Sequence, residues 1–439
     1  MSLAKWSLGT FGAQVIGVFC LTIWGMINAR VLGPEGKGVV TLVFLYPELF
    51  YTLFWLSLAL PYLHHIGRGK YRLGNFAANS LLFAGVLGGL AILIFWLTFI
   101  LAREQLYPGV RGIYLAITML LTPAIMLIYY FCSILQGSYN IHNYNIVWLI
   151  WRIGGCFLIV LLVLILRLGV WGAIIGGGIA ISGAAIVSIY LVARITKKED
   201  WQIHPELVKE TLIDGVKLHI GGITTFLRSR ANIFLLNYYL GVREVGFFSV
   251  AIAISEVLYL IPQATSTVLW PKAASADEKE AGRLTALVCR HTLFWTIISV
   301  IILALGAKFF VLIFAGKAFF PVVLPLIILV PGTVFFSLAV NLGSLIIRYR
   351  KFLLATYISF SLAVVNILVL IFLIPRYGII GAALATLINQ ALSGFIAIYI
   401  FWHLSKRNPK ELFFFTKEDI LLYKNFIAQL KDKIVKLAS

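Results

Sequence analysis

Charge is the scarcest commodity in this 439-residue chain, at 12% of residues. A soluble domain carries about 25%. The deficit runs along nearly the whole length, which excludes an ordinary soluble fold. Cysteine is scarce as well: Cys20, Cys132, Cys156 and Cys289 all lie in or beside apolar runs. With no Cys-x-x-Cys or Cys/His cluster, neither a zinc site nor a disulfide framework is implied. There is no Walker loop, so no built-in ATPase is expected. No nucleophile–base triad or metal-ligand cluster points to catalysis, so the chain reads as a non-enzyme without metal or cofactor. Acidic residues number 17 against 36 lysines and arginines, a net charge of +19. Nucleic acid is one reading of such a balance. Membrane topology explains it better, because basic residues gather in cytoplasmic loops.

Apolar sequence is abundant, at 61%. The runs are far longer than the roughly 9–11 residues of a membrane strand, so an all-α polytopic membrane protein is expected. Twelve stretches can each hold the ~20 residues of a crossing. They are 6–29, 38–62, 76–101, 112–136, 146–166, 170–194, 218–240, 245–270, 287–314, 319–347, 353–374 and 378–403. The first is longer than a signal-peptide core and is read as a span. The domain plan is therefore a bundle over 1–194, a polar linker over 195–217, a second bundle over 218–404 and a tail over 405–439. Pro205 is placed to start a short surface helix within the linker.

With the N-terminus inside, 24 of the 36 basic residues fall on the inner side, nine outside, and three within spans: Arg152, Arg228 and Arg230. This bias predicts a multi-pass protein of the cell (inner) membrane with both termini cytoplasmic. Lys37 and Arg30 are counted among the outer loop residues, and Arg290 among the inner ones.

The halves repeat. Leu-Gly-Pro-Glu-Gly-Lys-Gly at 32–38 aligns with Leu-Gly-Val-Arg-Glu-Val-Gly at 240–246, an offset of 208 that also pairs Glu48 with Glu256 and Tyr51 with Tyr259. Near the end of each half, Arg-x-Gly-x-x-Gly-Ala occurs at 167–173 and again at 376–382. An even number of spans per copy makes the two copies parallel. Gly33, Gly38, Gly241 and Gly246 suit helix ends and tight turns.

These motifs, in this order around twelve spans, resemble the polysaccharide-transporter family. That family is the O-antigen-type flippase branch of the multidrug/oligosaccharidyl-lipid/polysaccharide exporter superfamily. The resemblance covers residues 1 to about 405. It implies two parallel six-helix repeats as V-shaped bundles around a central cavity. It also implies a flippase that carries undecaprenyl-pyrophosphate-linked oligosaccharide from the cytoplasmic to the outer leaflet by alternating access. Implied partners are the lipid-linked oligosaccharide, membrane lipids, and glycosyltransferases or a polymerase of the same pathway. The related lipid II flippases usually carry two further spans, which disfavours that substrate. The rival reading is a multidrug or cation antiporter of the same superfamily.

Costly polar groups inside spans mark candidate sites. An arginine mid-span costs about 2.5–3.5 kcal/mol even on mild insertion scales. Gly221, Thr225, Arg228 and Asn232 form one helical stripe. Arg228 is the preferred contact for a pyrophosphate, since a guanidinium grips phosphate oxygens in pairs. Arg230 projects from the other side and is the second candidate. Arg152 either snorkels to the cytoplasmic headgroups or lines an inner mouth. Asn341 and Arg348 are candidates for the same mouth. The matched acids Glu48 and Glu256 admit two roles: carrying a coupling H+ or Na+, or holding arginines in place. Thr386, Asn389, Gln390 and Ser393 read as contacts to a cavity or as hydrogen-bond links between helices. The tail, 416–438, has the spacing of a basic amphipathic helix for the anionic inner leaflet, with Thr416 and Asp419 at its start.

Overall fold

The computed structural model describes residues 3–416 and Asp419; the amphipathic stretch expected over 416–438 lies, beyond those two positions, outside the described residues. The described residues contain helices and no strand. This follows from the medium: in lipid each backbone N–H and C=O must find its partner within the chain, and a helix does so locally.

The helices are α1 (Leu3–Phe54), α2 (Ala59–Arg68), α3 (Leu73–Leu106), α4 (Gly112–Met119), α5 (Thr122–Gly137), α6 (Ile141–Ile159), α7 (Gly169–Ile195), α8 (Pro205–Leu240), α9 (Val242–Glu256), α10 (Leu260–Ser275), α11 (Glu278–Leu305), α12 (Ala307–Phe314), α13 (Val323–Leu329), α14 (Gly332–Arg348) and α15 (Phe352–Ser405). Among the described residues eight stretches are long and apolar enough to cross a membrane, and α13 with α14, bent by 46°, makes a ninth. α1 and α15 run 52 and 54 residues. At about 1.5 Å per residue each far exceeds a ~30 Å bilayer core. Each breaks at a left-handed glycine, Gly33 and Gly378, and so supplies two crossings. α8, less apolar because of its charges, supplies the remaining one. Twelve crossings result.

The repeat is visible as geometry. Gly33 (φ 67°, ψ −175°) and Gly241 (φ 89°, ψ −179°) adopt the same backbone conformation, one that side-chain-bearing residues rarely enter. Gly38 and Gly246 do something else. A methyl at Gly38 would overlap the carbonyl of Val242, and one at Gly246 would overlap the carbonyl of Pro34. At the offset of 208, Gly38 becomes Gly246 and Val242 becomes Pro34. The contact is thus reciprocal, the signature of a two-fold axis through the crossing. The four glycines therefore divide into turn formers and close-packing positions. Later in each copy, Gly172 lies against the Leu162 carbonyl and Gly381 against that of Leu373.

Two compact units form. One contains the described residues up to Ala253, with Lys308–Pro325 and Ala363–Ala382. Its core gathers Tyr62, Phe76, Tyr130 and Phe131. Within it, Arg30 donates to the carbonyls of Leu312 and Ile313 at the end of α12. Lys37, expected in an outer loop, is instead buried in α1 with its ammonium 5.5 Å from the Trp24 ring centroid. The other unit contains Ile254–Ala307, Leu326–Leu362 and the described residues from Ala383 onward. Here Asn341 is fully buried, accepting from Thr265, which in turn accepts from Thr292. Asn341 thus packs inside this unit and lines no mouth. Asn389 donates to the Leu362 carbonyl at 2.7 Å, and Gln390 to the Tyr259 hydroxyl, so both link helices.

The expected short helix at Pro205 is not separate. Pro205 occupies the first turn of α8, which continues without a break to Leu240. The extension holds because its acids find partners on the first half. His65 lies 3.2 Å from Asp214 and 3.6 Å from Glu210, and Lys70 lies 2.8 Å from Glu210. Hydrogen bonds from Lys70 and Tyr71 hold the Glu210 carboxyl below its usual range. Nearby, Arg72 pairs with Asp200 at 2.6 Å, and the Gly74 backbone leaves room for Asp200.

The chain after α15 is fastened to α11. Asp419, fully buried, receives Arg290 at 3.0 Å and lies 3.2 Å from His291. It also accepts from the Thr416 N–H and hydroxyl. Arg290, counted among the inner-segment charges, is therefore a buried anchor; its second nitrogen donates to the Glu411 carbonyl at 2.7 Å. Burial works to raise the Asp419 carboxyl, but the bonds from Arg290 and Thr416 outweigh it and bring it down to about 2. A depressed acid stabilises the fold above its ordinary value of 3.8 and loses that contribution as pH falls toward 2. Asp419→Asn is expected to speed amide hydrogen exchange over residues 407–416 at neutral pH. In the unaltered protein the same protection should hold above about pH 4 and fade below it.

Candidate functional site

The site begins where α1 stops. Tyr51 lies in its last turn and Trp55 just beyond its end, and the chain then turns through Leu56 and Ser57, both at φ 51°. Left-handed conformations in two such residues cost roughly 1–2 kcal/mol each, so the surroundings must hold them. Tyr130 donates to the Trp55 carbonyl at 2.8 Å. The rest comes from one face of α8. Gly215 lies against the Leu56 carbonyl, His219 bonds the Leu53 carbonyl at 2.9 Å, and Gly222 sits 3.3 Å from the Ser57 hydroxyl, as measured from a methyl placed there. The small residues of α8 thus seat it on the break in the first half.

About two turns further along α8 come the arginines. Arg228 and Arg230 are both half-buried, and Thr225 is exposed. The Asn366 amide donates to the Arg228 carbonyl at 3.1 Å, tying the backbone at that point to α15. Asn232, expected to share a stripe with Arg228, is buried, and its side-chain oxygen accepts from the Ile233 N–H at 2.8 Å. The stripe is therefore divided: Gly221, Thr225 and Arg228 retain exposure, while Asn232 is turned into packing.

Arg152 and Glu48 come together around an aromatic cluster. Tyr129 of α5 stacks on Tyr51 at 5.1 Å, with edge contacts to Trp55 at 5.7 Å and Trp148 at 5.5 Å. Trp148 stacks on Trp151 at 5.4 Å. The Arg152 guanidinium lies 5.9 Å from the Trp148 ring centroid, with its stem 3.6 Å from a methyl placed at Gly17. The charges of both Arg152 and Glu48 reach Tyr129. Glu48 is half-buried here, whereas its counterpart Glu256 is exposed at the last residue of α9. Tyr259 repeats part of the pattern, stacking on Phe336 at 4.2 Å. At helical spacing Tyr51 and Trp55 fall on one face with Glu48; the sequence reading missed Tyr129, which carries no signal of its own, and Trp148 and Trp151, whose only signal is the aromatic density of the stretch 144–151. Among the described residues no group of three His, Cys, Asp or Glu side chains is arranged to hold a metal.

Solved structures of MOP-superfamily transporters share this helical fold. The inward-facing form of a multidrug-resistance MATE transporter of that superfamily superposes with a TM-score of 0.74 at 15% identity, over 89% of this chain and 95% of that one. The lipid II flippase MurJ, in its inward closed conformation, gives 0.74 at 17% identity, over 98% and 100%. A MOP-superfamily transporter from Pyrococcus furiosus, described for the reverse polarity of its binding pocket, gives 0.66 at 12% identity, over 92% and 96%. At these identities the likeness speaks for the fold. No sequence among the curated proteins matches. The chain belongs to the polysaccharide biosynthesis protein family, whose model matches residues 27–324. Its apolar helices are those of a multi-pass membrane protein, and its fold is the one these transporter structures share.

Proposed function

We propose that this protein is a flippase that moves a polyprenyl-pyrophosphate-linked oligosaccharide, a precursor of a surface polysaccharide, from the cytoplasmic to the outer leaflet by alternating access. In this reading both termini face the cytoplasm of an inner membrane, as the basic-residue bias favours. Arg228 grips the pyrophosphate, and Arg230 adds a second positive charge. Glu48 and Glu256 take the part of coupling groups for H+ or Na+. Glycosyltransferases or a polymerase of the same pathway act before and after it. The observation that carries the reading is the half-buried Arg228 in the middle of α8, with its backbone fastened by Asn366, in a chain of the polysaccharide biosynthesis family. Placing a cation at that depth is expensive unless an anion or water receives it. It also opposes entry of a cationic drug, which disfavours antiport of that kind.

Proteoliposomes test this directly. With a fluorescent polyprenyl-pyrophosphate saccharide loaded on one leaflet, the protein is expected to speed exposure to a membrane-impermeant quencher well above the protein-free rate. No acceleration, together with ejection of ethidium by the same vesicles, would transfer the assignment to a cation antiporter.

A further inference from the structure

We propose that Tyr51, Trp55, Tyr129 and Trp148, with Glu48 and Arg152 beside them, form a platform that receives the sugar rings of the lipid-linked substrate. This rests on the lipid-linked reading above and adds a subsite to it. Four observations support it. The rings come from α1 and the turn after it, from α5 and from α6, yet Tyr51, Trp55 and Trp148 each lie within 5.7 Å of Tyr129. Trp55, Tyr129 and Trp148 all keep part of their surface exposed. All four are tyrosine or tryptophan, rings with an apolar face and a polar edge. The face suits the C–H side of a pyranose, and the neighbouring carboxylate and guanidinium suit its hydroxyls.

The fourth observation is an asymmetry. The duplication repeats the tyrosine stack, as Tyr259 on Phe336, but not the tryptophans. Trp55 corresponds to Gln263, and the stretch 353–374 in the second half, which corresponds to α6, has no tryptophan and no arginine. Structural packing common to both halves therefore does not require these side chains.

The charge pattern selects a neutral polyol over an organic cation. An aromatic cage beside a single carboxylate is a cation site in general. Here the Arg152 guanidinium already lies over Trp148, so the cluster carries its own cation and repels a second. The break at Leu56 and Ser57 matters as well. It sets the position of Trp55, and it is held by the same α8 that presents Arg228 two turns beyond Gly222. Sugar platform and phosphate contact thereby share one support within one unit.

The test is calorimetric binding to the full chain in nanodiscs. Three probes are compared: a short-chain polyprenyl pyrophosphate bearing one N-acetylhexosamine, the same lipid pyrophosphate without sugar, and tetraphenylphosphonium. Trp148→Leu and Trp55→Leu are expected to weaken the sugar-bearing probe about tenfold, down to the affinity of the sugar-free lipid, whose own binding they leave unchanged. Trp148→Phe should restore much of the loss. If both Leu variants, eluting as folded monodisperse protein, bind the two lipids as the parent does, the platform is wrong while the lipid reading stands. If the parent binds neither lipid, the flippase reading falls and the platform with it. Tetraphenylphosphonium bound by the parent and lost in Trp148→Leu would identify a cation cage instead.

Discussion

Arg228→Ala is expected to reduce export of the surface glycan to background in a strain lacking its own flippase, with membrane insertion and yield unchanged. The size of the effect follows from the chemistry. Each hydrogen bond to a charged group contributes about 1.5–3 kcal/mol, and a guanidinium offers two in parallel to a phosphate. Losing the pair slows transport by about a hundredfold or more. Arg228→Lys should recover only part of this, because an ammonium supplies charge without the planar fork. Asn366→Ala is expected to act more weakly, through the hydrogen bond that fixes the Arg228 backbone. Quantifying surface polysaccharide beside an immunoblot of the membrane fraction separates these outcomes. Normal export by Arg228→Ala would remove this residue from the substrate path.

The second large effect concerns stability. Gly38→Ala and Gly246→Ala each place a methyl where a backbone carbonyl already stands, Val242 in one case and Pro34 in the other. Overpacking costs about 1–3 kcal/mol when side chains can yield. A carbonyl inside a helix yields less, so these two should lie at or above the upper end. Thermal unfolding followed by fluorescence-detected size exclusion is expected to show a fall of several degrees or failure to elute as a monomeric peak. Gly85→Ala, in α3 with nothing within 4 Å of the new methyl, is the control. It should be neutral or slightly stabilising, since alanine is the better helix former. Equal melting points for all three would show that the crossing of the two helices is looser than described.

Much of the architecture was legible because it is written locally. Apolar length gives crossings, and the glycine motifs gave the duplication and the breaks at Gly33 and Gly241. The errors came where a partner distant in sequence decides. Lys37 has the look of a loop residue, yet the helix runs through it and Trp24 receives its ammonium. The polar run at 205–217 looks like the end of a linker, yet α8 passes through it because His65 and Lys70 meet its acids Asp214 and Glu210. The sequence shows Arg290 only as one of the inner-segment charges; that it is buried in an ion pair depends on Asp419, 129 residues away. The candidate site divides the same way. Arg228 announced itself as a charge in an apolar helix. The aromatic cluster did not, because no spacing rule links Tyr51, Tyr129 and Trp148.

The reciprocal contact of Gly38 with Val242 and Gly246 with Pro34 has an ancestral reading. A surface that fits its own copy is what a homodimer of six-helix chains would have used. Joining the copies in one chain fixes their ratio and removes the dependence of assembly on concentration. It also frees them from each other. In a homodimer every substitution appears twice, so an arginine in the first helix of the ancestor would have been imposed on both subunits. In the fused chain α8 carries Arg228 and Arg230, while Cys20 and Thr22 stand at the matching positions of the first copy. The tryptophans of the first half are likewise uncopied in the second. Fusion let the two halves carry unlike side chains on a single inherited frame.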